Sequence, residues 1–213
     1  RFSLHGAPVD LAPFLRDRIV KPYPRSVLTS ATLTVGGTFD AFRTRCGIEK
    51  CDETILDSPF DYKNHVALFV DPATPDPKTD SQGHEAFVLD RCRALAKVVP
   101  GGIFILLTSW SFLERAHKAL AETVESRPLF KQGAEPPSRL LDHFKKAGNG
   151  ILLGTDTFWQ GVDVPGSALS CVVIPRLPFT PPTAPLEEAR QEWLEKQGHN
   201  VFNEFTVPSA VIK

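Results

Sequence analysis

Short, continuously apolar runs separated by stretches of helical periodicity constrain this chain more than any other feature. Candidate strands fall at Ser26–Thr29, His65–Val70, Ile103–Thr108, Pro128–Lys131, Ile151–Gly154 and Ser170–Ile174. Several lack polar alternation, the pattern of strands covered on both faces. Between them Val88, Cys92, Leu95, Ala96 and Val99 recur at helix spacing, as do Leu113, Ala116, Leu120 and Val124, and then Leu140, Leu141 and Phe144. Alternation of this kind predicts an α/β fold: a parallel sheet with right-handed crossovers, sandwiched between helices. Ser111-Phe112-Leu113-Glu114 reads as a capping box that opens one of these helices. Asp71–Gly83, rich in Pro, Asp and Thr, reads as a surface loop. Pro175–Pro185 holds five prolines and cannot be a helix interior. Leu186, Ala189, Trp193 and Leu194 mark a further helix after it.

A chain of 213 residues buries one core, or one core plus part of a neighbour. No apolar run approaches the roughly 18 residues of a membrane span, and the N-terminus lacks a signal-peptide layout, so the expected setting is the cytoplasm, with no membrane partner. Cys46, Cys51, Cys92 and Cys171 have no zinc-like double-pair spacing, and the expectation is reduced thiols with no metal site. A net charge of −1 argues against a domain that grips nucleic acid by bulk electrostatics. The chain starts at Arg1 and contains no Met. That reads as an excised piece of a longer protein, or as a sequence from which modified residues were dropped.

Residues suited to chemistry sit where strands end, the usual ligand edge of an open α/β sheet. Ser30 and Thr32 follow Val27-Leu28 on a tight turn, and alone would fit an ST-turn closing a buried strand. Thr108 and Ser109 end a second strand at the mouth of a helix, where backbone N–H groups favour a phosphate. Ser111 is explained as that helix's N-cap. Trp110 could stack on a base, although a tryptophan beside a strand end more often packs in a core. After Ile151-Leu152-Leu153 comes Gly154-Thr155-Asp156-Thr157-Phe158-Trp159-Gln160-Gly161-Val162-Asp163-Val164-Pro165-Gly166. Thr155 is placed for a phosphate contact, Gly161 permits close backbone approach, and Asp163 can accept from a ribose hydroxyl. Singly, Asp163 fits a turn-capping carboxylate, and Phe158 and Trp159 fit packing residues.

Thr29-Ser30-Ala31-Thr32-Leu33 and the 154–166 segment together resemble motifs III and V of superfamily 2 helicases of the DinG/XPD type. Thr108-Ser109 resembles motif IV. Ser58-Pro59-Phe60 and Arg176-Leu177-Pro178-Phe179-Thr180-Pro181-Pro182 add to the likeness, which runs from about Leu28 to the end. The resemblance implies the second RecA-like motor lobe of an ATP-dependent DNA helicase, with residues 35–213 forming that lobe and stopping before motif VI. Residues 1–34 would be the end of the first motor lobe or would pack with the second. It further implies coupling roles for Ser30 and Thr32, ATP contacts from Gln160, Gly161 and Asp163, and nucleic-acid contacts from Thr108, Ser109, Thr155 and Arg176. The implied partners are single-stranded DNA and the first motor lobe. The resemblance also implies ATP and Mg2+ in the full-length protein, stepping 5′ to 3′, and a role in DNA repair or replication.

What the sequence lacks is equally informative. It has no G-x-x-x-x-G-K-[ST] loop, no Gly-Lys dipeptide and no D-E-A/C-H segment. The piece by itself is therefore expected not to hydrolyse ATP. The resemblance would place an iron–sulfur cluster, if there is one, elsewhere in the parent. The rival from another class is a non-catalytic module that keeps the fold and binds nucleic acid or protein passively. A doubly wound enzyme with a small cofactor is a second rival, weakened by the absence of a G-x-G-x-x-G turn.

Overall fold

The computed structural model describes residues 6–124, 126–179 and 184–212. In chain order its helices are α1 (Ala12–Leu15), α2 (Asp40–Cys46), α3 (Tyr62–His65), α4 (Ser81–Val98), α5 (Trp110–Ala121), α6 (Pro137–Ala147), α7 (Pro185–Lys196) and α8 (Val207–Val211). Its strands are β1 (Ile103–Leu106), β2 (Leu129–Lys131), β3 (Ile151–Gly154) and β4 (Cys171–Val173). The chain divides into two compact units, residues 65–178 and residues 1–64 with 179–213.

In the first of these the strands form one parallel sheet in the order β2-β3-β1-β4. Side chains alternate across the pleat. Ile103, Ile105, Leu107, Ile151 and Leu153 therefore meet α4 and α5 through Val88, Cys92, Phe112, Leu113, Ala116 and Leu120. Phe104, Leu106 and Leu152 point the other way, onto Leu140 and Phe144 of α6 and onto Phe158. Helices thus cover both faces, which is why these strands read as unbroken apolar runs. The expected α/β sandwich of RecA-like type is the one observed.

Arg127 closes the N-terminal edge of this sheet. Its Nε donates to the Asn149 carbonyl at 2.6 Å, Nη1 to Ala96 and Val99 at 3.1 and 2.8 Å, and Nη2 to Gly101. One guanidinium thereby ties the end of α4 to the segments entering β1, β2 and β3.

In the other unit Gly47 caps α2 with φ 67°, and an added Cβ would run into the Ala12 carbonyl, so α1 approaches because the position is glycine. Arg45 donates to Ser209 Oγ at 2.6 Å and lies over the Phe205 ring at 4.9 Å, pinning α2 to the 205–209 segment. Arg190 of α7 donates to the Val9 carbonyl at 3.3 Å.

Two expected strands do not form. Ser26–Thr29 is irregular, with Val27 88% and Leu28 51% exposed, and beyond His65 the 66–70 run is coil with Phe69 90% exposed. A β-rich apolar run specifies a strand only where a neighbour offers a ladder, and no described strand lies beside either segment. The capping box is also displaced. Ser109, extended at φ −144° and ψ 142°, is the N-cap of α5 and accepts from Phe112 N at 3.3 Å. Glu114 instead reaches Lys131 Nζ at 2.8 Å. The last ladder bond of this strand, Leu107 N to the Gly154 carbonyl at 2.8 Å, leaves the chain free to turn at once. The loop expected over Asp71–Gly83 ends earlier, because Asp80 caps α4 by accepting from Gly83 N at 2.8 Å.

Candidate functional site

The C-terminal edge of the sheet gathers the residues with chemical potential. Leu107, Thr108 and Ser109 leave β1, and Pro175 and Arg176 follow the adjacent β4. With Ser81 and Glu85 of α4 and Ser111 and Arg115 of α5 they line a cleft of about 190 Å³. Arg115 is bound on two sides by Glu85, Nε to Oε2 at 2.9 Å and Nη2 to Oε1 at 2.6 Å, a pairing that raises the guanidinium above its usual pKa. Arg176 has no such partner. Its Nε is buried without a hydrogen bond, and no carboxylate pairs with it among the described residues. An unneutralised guanidinium beside the N-terminus of a 12-residue helix makes an anion the favoured occupant. Ser109 caps that helix through a lone pair, and its hydroxyl proton can turn to Ser111 Oγ at 3.5 Å or to an acceptor in the cleft.

Of the four residues expected to contact nucleic acid, Thr108, Ser109 and Arg176 line this one cleft. Trp110, whose core packing was the commoner expectation, is instead 50% exposed, because it stands at the first position of α5 where the helix leaves the sheet.

Thr155 lies apart from the cleft. It is 5% exposed, and both of its donors go to one amide oxygen, Gln132 Oε1, from the backbone N at 2.6 Å and from Oγ1 at 3.1 Å. A phosphate reaches these donors only by displacing that amide. Gln132 Nε2 also contacts Thr157 Oγ1 at 3.3 Å, and Trp159 Nε1 donates to the Leu107 carbonyl at 3.3 Å. Gly154 allows the chain to fold back here, since an added Cβ would stand 2.8 Å from Phe158 Cβ. Beyond these tethers Val162 and Val164 pack on the core face with Phe104 and Phe144, so the alternate residue Asp163 faces solvent, where no described residue holds its carboxylate. Gln160 and Gly161 are exposed, and Gly161 adopts φ 71°.

Ser30 and Thr32 form the local turn expected of them. Thr32 N donates to Ser30 Oγ at 3.2 Å, with the two hydroxyls 3.3 Å apart, although no strand precedes them. They belong to the other compact unit. A larger cavity of about 290 Å³ in that unit, lined by Arg16, Arg43 and Glu49 among others, holds none of the expected site residues. Its arginines are paired, Arg16 with Glu49 and Arg43 with Glu53. Of the 176–182 element, Thr180, Pro181 and Pro182 lie outside the described residues, as does Lys213.

The residues that sequence reasoning missed are Gln132 and, as a tether, Trp159. The available signal for Gln132 was a polar side chain directly after an apolar run and before Gly133.

A parallel sheet covered on both faces, with hydroxyls, an arginine that no described carboxylate pairs and an exposed aspartate along its C-terminal edge, defines a RecA-like lobe. Residues 92–213 match the helicase C-terminal domain model, and the chain belongs to that family. It is 36% identical over its whole length to the ATP-dependent DNA helicase YoaA of Haemophilus influenzae, covering 33% of that protein. Identity is 34% to YoaA of Escherichia coli, over 99% of this chain and 33% of that one, and 36% to the ATP-dependent helicase DinG of Mycobacterium tuberculosis, over 95% and 30%. The chain therefore spans about a third of the length of these relatives.

Proposed function

We propose that this chain is the C-terminal motor lobe of a DinG-type ATP-dependent DNA helicase, whose full-length form steps 5′ to 3′ on single-stranded DNA in the cytoplasm during repair or replication. Residues 35–213 belong to that lobe in this reading, and residues 1–34 to the end of the first lobe or to packing against the second. The observation that carries the reading is the strand-end cleft: hydroxyls at a helix mouth with a guanidinium that no acid neutralises among the described residues.

A DNA phosphate in that cleft accepts from Thr108 and Ser109 and takes its counter-charge from Arg176. Thr155 sits one strand over, and its donors become available when Gln132 lets go. On the exposed 160–163 loop, Gln160 and Gly161 approach the nucleotide and Asp163 accepts from its ribose hydroxyl. Ser30 and Thr32 can exchange hydrogen-bond partners, which suits residues that couple nucleotide state to DNA grip. Among the described residues no three His, Cys, Asp or Glu side chains gather to hold a metal. In this reading Mg2+ arrives with ATP in the full-length protein, and an iron–sulfur cluster, where the family has one, belongs to another part of it.

The test is titration of a labelled single-stranded oligonucleotide at two salt concentrations. The expected result is weak, salt-sensitive binding that Arg176→Ala weakens further while reducing the log–log salt slope by about 0.7, the share of one phosphate contact on a single strand. Tight binding that ignores both salt and Arg176→Ala would point to base stacking, with the half-exposed Trp110 as the platform, and to a passive binding module.

A further inference from the structure

Gln132 enters the reading above only as the partner that Thr155 must leave, yet it makes three side-chain contacts at the sheet's C-terminal edge. It is 8% exposed, and its backbone N extends the β2–β3 ladder to the Leu153 carbonyl at 3.0 Å, which fixes where its amide points. The side chain then takes both donors of Thr155 and reaches Thr157 Oγ1. Thr155 in turn starts the tight turn below it: Phe158 N donates to the Thr155 carbonyl at 2.8 Å, and Trp159 N to the Asp156 carbonyl at 3.2 Å. Trp159 carries the second tether, to the carbonyl of Leu107. Residues 160–163 follow directly, with Val162 packed on the core. The turn before them is held by two side-chain anchors, one to the chain beyond the strand on each side of β3, and Gln132 is the anchor nearer the start of the loop.

We propose that Gln132 is a positioning residue for the 155–163 loop. Resting on the helicase reading, it sets the geometry in which Asp163 and its neighbours meet the nucleotide, acting through Thr155 and Thr157 without touching substrate. Leu at this position keeps the volume but leaves the Thr155 N–H and hydroxyl buried and unpaired, so the turn must shift to solvate them. Glu keeps the acceptor for both Thr155 donors, and the Thr157 hydroxyl can rotate to donate to the second carboxylate oxygen. The two variants differ little in bulk; Glu keeps the anchor and adds a charge that the Thr155 and Thr157 donors face, while Leu removes the anchor.

The experiment uses the full-length protein, with ATP hydrolysis driven by oligo-dT and amide exchange across residues 155–163 measured in the same preparations. Gln132→Leu should lower the DNA-stimulated kcat about tenfold or more, the scale of small misplacements at a reacting centre. The KM for ATP should stay within about threefold, since ground-state binding is less sensitive to such shifts. Exchange protection should fall at Thr155 and through the loop while 103–106 and 151–153 stay protected, and Gln132→Glu should restore both readouts. An unchanged kcat in Gln132→Leu with protection lost at Thr155 would overturn the proposal, and so would equal losses in both variants that track only a lowered melting temperature. If the unaltered protein shows no DNA-stimulated hydrolysis, the helicase reading fails separately. Exchange alone then decides: loss of loop protection in Gln132→Leu with recovery in Gln132→Glu supports the anchor, and unchanged protection refutes it.

Discussion

Arg127 holds the N-terminal edge of the sheet much as Gln132 holds the loop at the opposite edge, and its removal gives the sharpest stability test. The side chain is 7% exposed and burial pulls its pKa below the ordinary arginine value, yet a guanidinium stays charged at any working pH. Its partners among the described residues are the carbonyls of Ala96, Val99, Gly101 and Asn149, with no carboxylate. A hydrogen bond to a charged group contributes roughly 1.5–3 kcal/mol. Arg127→Ala opens a path for water to those carbonyls, which recovers part of the loss, so the expected cost is about 3–5 kcal/mol. Arg127→Lys should lie between, because one ammonium cannot span carbonyls that the planar guanidinium reaches from three nitrogens. Urea unfolding reads this as a lowered midpoint with little change in slope. A loss below about 1 kcal/mol for Arg127→Ala would mean that the carbonyls are already solvated and that the clamp contributes little.

Asp163→Ala should leave unfolding stability within about 0.5 kcal/mol, because its carboxylate faces solvent with no partner among the described residues. In the full-length protein the same change should depress DNA-stimulated ATP hydrolysis more than DNA binding, and a collapse of DNA affinity with hydrolysis intact would refute its assignment. Burial pushes the Cys92 thiol up to about 12 from 9.0, so the folded state favours the protonated form. That contribution is fully present below pH 9.0 and is lost as pH rises towards about 12, by up to about 1.4 kcal/mol per pH unit. Urea midpoints should therefore fall more steeply over that range than in Cys92→Ala, and parallel slopes would contradict the burial argument.

The parallel sheet was legible because its strands are covered on both faces, so Ile103–Leu106 and Ile151–Gly154 read as unbroken apolar runs bounded by glycine or hydroxyl residues. The same signal misled at residues 26–29 and 65–70, since apolar β-rich sequence records a need for cover and says nothing about whether a neighbouring strand supplies it. Periodicity found α4, α5 and α6 through their buried faces. It could not fix the start of α5, where Ser109 and Ser111 are both competent caps and the end of the β1 ladder chose the earlier one. At the sheet edge, Thr108 and Ser109 were singled out from strand-end chemistry and Arg176 from the family resemblance, and the three line one cleft. Gln132 was not, because its role depends on β2 lying beside β3, a pairing between segments 20 residues apart that no local pattern encodes. The exposure of Trp110 and the burial of Thr155 are set in the same way, by which neighbour stands over each.

The central claim is most directly tested by ATP turnover measured side by side, with and without single-stranded DNA, for the full-length protein and for this 213-residue chain. The account predicts hydrolysis by the full-length protein that single-stranded DNA stimulates. It predicts none above background for the chain alone, which has no P-loop lysine of its own to neutralise the triphosphate. Steady turnover by the rigorously purified chain, or a full-length protein indifferent to both ATP and DNA, would contradict it.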